Sequence, residues 1–138
     1  MANPYYTKPR FYFGEYEYIT PQWSGTPQHQ PKVLVPGGGH VDANAFPPGV
    51  IQSGILVGRT YAERDAGIGY GPADVATDEE IHLLFFDIHD PLNENECELY
   101  QSRSGNVVYV NFIPNWATLP TATKTWIYNN YTCLTGVA

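Results

Sequence analysis

The first 50 residues of the chain are unusually rich in proline, glycine and aromatic residues. They hold 8 of the 12 prolines and 6 of the 13 glycines, and 8 of the 20 aromatic residues lie within the first 23 positions. Proline fixes φ and lacks a backbone donor, so such a run disfavours regular helices and inner strands. A connection this long without regular structure is unusual inside a compact domain. The sequence therefore predicts an extended N-terminal arm over residues 1–50 and a β-rich body over residues 51–138.

The charges are distributed as unevenly as the prolines. Residues 51–100 carry eleven acidic groups against two arginines, whereas residues 101–138 carry only Arg103 and Lys124. A nucleic-acid surface needs a basic stripe, which this chain lacks. The acidic middle is interpreted as a solvated outer face, and no nucleic-acid partner is expected.

The cysteines and the N-terminal residues restrict the class of protein further. Cys97 and Cys133 form neither a zinc pattern nor a Cys-x-x-Cys motif, and two free thiols are favoured over one disulfide. No basic stretch followed by an apolar run marks a signal peptide, and no apolar run approaches the length of a membrane span. We expect a soluble protein made in the cytoplasm, with no membrane partner.

Residues 51–120 predict short β-strands. Strands are expected at 53–61, 96–102 and 107–113, with a glycine-rich corner at 67–72 between the first two. Residues 77–89 combine a helical capping pattern with an apolar run suited to a buried strand, and the β-rich neighbours favour the strand. For residues 121–132, a short helix and a last strand remain equal alternatives.

Residue types used in catalysis are present but not in catalytic patterns. His82 and His89 with Asp87 and Asp90 could suggest a metal site, but in a strand the two histidines point to opposite faces. On a helix they lie about two turns apart, too far for one ion. The glycines at 37–39 lack the lysine of a phosphate loop, and no serine sits in Gly-x-Ser-x-Gly. No metal, cofactor or enzyme activity is expected.

The arm carries the candidate binding residues. Around residues 15–18, glutamates alternate with tyrosines, which predicts a strand with one acidic and one aromatic face. Exposed aromatic rings are well suited to fill pockets on a partner, although they can also pack back on their own body. The predicted partner-binding residues are Phe11, Tyr12, Phe13, Tyr16, Tyr18 and Trp23.

Five short stretches between residues 54 and 119 occur in a recognisable order. They are Gly54-Ile55-Leu56-Val57-Gly58, Tyr70-Gly71-Pro72-Ala73-Asp74, Phe86-Asp87-Ile88-His89-Asp90, Glu98-Leu99-Tyr100 and the Arg-x-Gly at 103–105. This order resembles the head decoration proteins of tailed phages, the lambda protein D type. The arm is longer and more aromatic than the arm typical of that family.

The resemblance implies a fold and a function. The fold is mainly β, with a small β-barrel or β-tulip-like body, a long extended N-terminal arm and room for one short helix. The function is that of a capsid cement protein, bound to the major capsid protein on the outer surface of the head. It implies a homo-oligomer, with a trimer favoured over a dimer, and no catalysis and no cofactor.

Two other classes of function remain open from the sequence. One is a tail-fibre or carbohydrate-binding β-module, in which Trp23, Trp116 and Trp126 would stack on sugar rings. The other is a small metal-dependent enzyme with a cupin-like barrel.

Overall fold

The structure, a computed structural model, describes residues 21–25 and 32–135. Within these ranges the chain is mainly β, as predicted, with eight short strands and two α-helices. The elements in chain order are β1 (Gly39–His40), β2 (Leu56–Arg59), α1 (Tyr61–Asp65), β3 (Gly71–Pro72), β4 (Glu80–Leu84), β5 (Glu96–Cys97), β6 (Leu99–Tyr100), β7 (Val107–Tyr109), α2 (Thr121–Asn130) and β8 (Thr132–Leu134). Single 3₁₀ turns lie at Gln22–Ser24, Ala43–Ala45, Val110–Phe112 and Trp116–Thr118.

The strands form three separate sheets. The largest has the order β3-β2-β4-β6 and is antiparallel throughout. β1 pairs with β5 antiparallel, and β7 pairs with β8 in parallel. The described part of the chain therefore contains no closed barrel, and two α-helices replace the one short helix for which the prediction left room.

Two hydrophobic clusters lie on opposite faces of the four-stranded sheet. Leu83 of β4 and Tyr100 of β6 belong to the first cluster. Their chain neighbours Leu84 and Leu99 belong to the second. Successive side chains of a strand point to opposite faces, so β4 is apolar on both faces because both are covered. This burial explains why the apolar run within residues 77–89 forms a strand rather than a helix, although the strand covers only Glu80–Leu84.

The capping box lies at Thr60 and Glu63, and not within residues 77–89, where the sequence showed a helical capping pattern. Thr60 Oγ1 accepts a hydrogen bond from Glu63 N at 3.1 Å, and Glu63 Oε1 accepts one from Thr60 N at 2.8 Å. This reciprocal pair begins α1 and ends the first predicted strand at Arg59 rather than at Tyr61.

The C-terminal region contains both of the elements that were left as alternatives. Helix α2 follows Pro120, and Tyr131 is extended, so the chain passes directly into β8. The strand predicted for residues 107–113 is shorter, because the chain coils into a 3₁₀ turn after Tyr109.

The predicted boundary between arm and body at residue 50 is too late in the chain. Val35 N donates to Leu99 O at 2.9 Å, and Gln101 N donates to Val33 O at 3.1 Å, so this segment covers the open edge of β6. Val41 is only 1% exposed within the second cluster. Residues 32–50 are part of the body because they satisfy the backbone groups of an edge strand and bury apolar side chains.

Asn106 attaches this segment to the body. Its side chain is fully buried, accepts from Val33 N at 2.9 Å and donates to Val33 O and Gln101 O, both at 2.8 Å. Asn106→Ala leaves backbone groups without partners, and we expect it to lower the free energy of unfolding by about 1–3 kcal/mol. Urea denaturation measures this loss. The exposed Asn93→Ala serves as the control, and an equal effect of the two substitutions would contradict the role of Asn106.

Candidate partner-binding surface

The structure separates the six predicted partner-binding residues. Phe11, Tyr12, Phe13, Tyr16 and Tyr18 lie outside the described residues. Trp23 is described and is only 3% exposed, inside the first cluster of its own chain. The assignment of Trp23 to a partner surface is therefore corrected: its ring contributes to the core of the body.

Trp23 is held by rings and by a hydrogen bond. Its ring meets Phe85 edge-on at 5.9 Å and Tyr100 at 5.2 Å between centroids. Its Nε1 donates to Ser53 Oγ at 3.0 Å, and that hydroxyl donates in turn to Phe85 O at 2.6 Å. Gly54 is required beside the ring, because its φ is +92° and an added Cβ would lie 3.0 Å from Trp23 Nε1. Trp23 thus attaches the end of the aromatic N-terminal segment to the body.

The rings that contact Trp23 belong to a stack that continues to Tyr131, the residue directly after α2. Phe85 stacks on Tyr100 and Tyr100 on Tyr131, with centroids 5.5 Å and 5.6 Å apart. Tyr131 Oη donates to Tyr100 O at 2.7 Å and accepts from Leu83 N at 3.1 Å. Burial raises the pKa of the Tyr100 and Tyr131 hydroxyls, so both remain neutral donors. The attachment point of Trp23 is therefore a densely packed and hydrogen-bonded part of the body.

The other two tryptophans also contact rings of their own chain. Trp116 meets Tyr128 edge-on at 5.6 Å, and Lys124 Nζ lies 5.6 Å from the centre of the Trp116 ring. Trp126 meets Tyr131 at 6.2 Å. Both are half-buried, so neither presents a fully open face.

The acidic run at 78–80 has a structural role that the sequence did not reveal. Glu80 accepts from Arg59 Nε at 2.8 Å and from Arg64 at 3.4 Å. Burial works against its charge, but the two arginines outweigh burial and hold the pKa of Glu80 below its ordinary value. Glu79 accepts from Tyr61 N and Asp78 from Asp74 N. Part of the acidic stretch 51–100 thus also pairs with arginines and accepts hydrogen bonds from backbone N–H groups, in addition to facing solvent.

Two adjoining clefts lie on the surface of the body. One, of about 750 Å³, is lined by Phe86, Glu96 and Glu98 among others. The second, of about 400 Å³, is lined by Ile68 and Leu92 among others. His40 and Asn95 line both, so the two clefts form one surface, here named the acidic groove and defined by His40, Ile68, Phe86, Leu92, Glu96 and Glu98.

The acidic groove combines exposed apolar side chains with unpaired carboxylates. Leu92 is 76% exposed, Phe86 43% and Ile68 42%. Within residues 21–25 and 32–135, the carboxylates of Glu96 and Glu98 have no hydrogen-bond or ion-pair partner. The described residues that line the groove include no lysine or arginine. Glu96 and Glu98 lie in the segment 96–102 for which the sequence predicted a strand, and their spacing of two gave no indication of a cleft.

The candidate metal residues do not converge. In the part of the chain that the structure describes, no three His, Cys, Asp or Glu side chains are placed to hold a metal ion. His82 is partly buried, and its Nδ1 accepts a hydrogen bond from Ser102 N at 3.1 Å, while His89 is exposed.

The two cysteines are free thiols, as predicted. Burial raises the pKa of both Cys97 and Cys133 to about 11, and the neighbouring Glu98 adds to the effect at Cys97. Few thiolates form at neutral pH, so neither thiol is an activated nucleophile.

His82 predicts a pH dependence of stability. Burial lowers its pKa below the ordinary value of 6.5, and nearby Arg59 lowers it while Glu80 raises it. A lowered folded-state pKa means that stability is complete above pH 6.5 and declines as the pH falls through the folded-state value. Urea unfolding between about pH 7.5 and pH 5 should show this decline. His82→Asn, which keeps an acceptor for Ser102 N, should flatten it, and an unchanged slope would contradict the prediction.

Comparisons with known proteins do not identify a relative. No protein family model, no curated protein and no solved structure matches the chain significantly. None of the helices in the described ranges has the length and apolar character needed to cross a membrane.

Proposed function

We propose that this chain is a capsid decoration protein of a tailed phage, which binds the outer surface of the assembled head and stabilises it without catalysis. The observation that carries the proposal is the attachment of Trp23 to Ser53 and to the Phe85–Tyr100 ring pair. It joins residues 1–22, which include seven aromatic residues, to the packed core of a β-rich body. A protein that grips a neighbouring surface with an arm needs such a fixed point, because motion at the base would cost binding entropy.

The aromatic residues of the arm supply the binding energy in this proposal. Phe11, Phe13, Tyr16 and Tyr18 would enter pockets of the major capsid protein, and each buried ring contributes about 2 kcal/mol before ordering costs. The backbone of residues 10–20 would add a strand to the edge of a capsid sheet. Many copies on one shell then act together, so a modest affinity per copy is sufficient.

Binding to empty heads tests the proposal. Wild-type protein should sediment with heads of the phage that encodes it. The full chain with Phe11, Phe13, Tyr16 and Tyr18 all replaced by serine should bind at least tenfold more weakly, because the anchoring rings are gone. The control is Tyr61→Ser/Tyr128→Ser, which removes two exposed rings of the body. Undiminished binding of the four-ring variant, or failure of the wild type to bind, would overturn the proposal.

A further inference from the structure

Within the described part of the molecule, the acidic groove is the surface whose composition is most typical of a partner-binding site. Three of the seven exposed large hydrophobic side chains of the described part, Ile68, Phe86 and Leu92, line it. Apolar surface of this kind, bordered by charged residues, is typical of interaction sites. Its unpaired carboxylates, Glu96 and Glu98, restrict the partner to a segment that carries positive charge beside apolar side chains.

The chain itself contains a segment of this composition. Residues 5–10 read Tyr-Tyr-Thr-Lys-Pro-Arg, with two basic and no acidic residues. Four of the other five basic residues already have partners in their own chain: Arg59 and Arg64 contact Glu80, Lys124 lies over Trp116 and Lys32 donates to Ser24 O. Lys8 and Arg10 therefore offer the charge, and Tyr5 and Tyr6 the rings, that complement the groove.

The arm is long enough to reach a groove on another copy. Trp23 is linked through Ser53 to Asp87, which lines the groove of its own chain, so the arm begins beside one groove. Between Arg10 and Pro21 the chain can span at most about 40 Å, which is enough to reach the groove of an adjacent molecule. Residues 11–18 remain available along that span for the capsid surface.

We infer that the acidic groove binds residues 5–10 of a second copy of this chain, with Lys8 and Arg10 placed against Glu96 and Glu98 and the tyrosines against Phe86, Ile68 and Leu92. Such a contact joins two different surfaces, so it is head-to-tail and closes into a ring when the rotation between copies permits. The inference concerns contacts between copies and goes beyond the binding of the capsid.

Charge reversal on each side of the contact tests the inference with full-length protein and no capsid. Sedimentation velocity should show association of the wild type that weakens with salt. Lys8→Glu/Arg10→Glu and Glu96→Lys/Glu98→Lys should each weaken self-association at least tenfold, because like charges then face each other. An equimolar mixture of the two variants should associate again, since every contact between unlike copies pairs opposite charges.

A matched control separates the effect of the position in the groove from the effect of the change in net charge. Asp65→Lys/Asp74→Lys makes the same change in charge at exposed positions that line neither cleft, and it should leave association within threefold of the wild type. A wild type that is monomeric throughout, variants that associate normally, or a mixture that fails to associate would each overturn the inference. Loss of head binding by the groove variant with intact self-association would also overturn it and assign the groove to the capsid. If the protein does not bind capsids, the expected self-association results stay the same, so the two proposals can be tested separately.

Discussion

Trp23→Ala should lower the free energy of unfolding by about 3–5 kcal/mol, the usual range for truncating a large buried ring. The substitution removes two edge-on ring contacts and the hydrogen bond from Nε1 to Ser53. Ser53 Oγ keeps its bond to Phe85 O, so the loss is mainly one of packing. Under the proposed function, head binding should fall together with stability, because Trp23 lies at the base of the arm.

Equilibrium urea denaturation measures the effect of Trp23→Ala. The control is Trp116→Ala, which removes a half-buried ring and should cost about 1 kcal/mol. If Trp23→Ala costs no more than this control, the ring is not the anchor that the structure describes.

Tyr131→Phe should cost about 2–4 kcal/mol although it removes a single oxygen atom. Tyr131 is 4% exposed, and its hydroxyl serves both Leu83 N and Tyr100 O. The phenylalanine keeps the stack on Tyr100 but leaves a buried donor and a buried acceptor without their partner, and unsatisfied buried groups are costly.

The control for this substitution is Tyr128→Phe, three residues earlier on α2 and 53% exposed. Water replaces its hydrogen bonds, so we expect a change within about 0.5 kcal/mol. Similar midpoints of thermal unfolding for the two variants would show that the Tyr131 hydroxyl is not needed to join β4, β6 and α2.

The mainly β character was predictable because it depends on local composition. The apolar run of β4 and the β-branched residues of β7 carry their own signal in the sequence. Where the sequence pattern fitted both a helix and a strand, packing against the rest of the body determined which one formed. Residues 81–84 fit helical and strand spacing, and only burial between two clusters selected the strand.

The arm boundary was not predictable from composition, because residues 32–50 are irregular in sequence but ordered by distant partners. Val33 is held by Asn106, which lies 73 positions further along the chain. Likewise, Trp23 looked like part of an aromatic arm until its partners Ser53 and Phe85 were known. The groove escaped prediction for the same reason, since it joins residues from separate loops.

The most direct test of the cement role is the temperature at which heads release their DNA. A cement protein binds the assembled shell better than separated subunits, so by linkage it shifts the balance towards the shell. Heads stripped of this protein should release DNA several degrees earlier than heads re-decorated to saturation, and the four-ring arm variant should restore little of the difference. Equal release temperatures for stripped and saturated heads would contradict the proposed function.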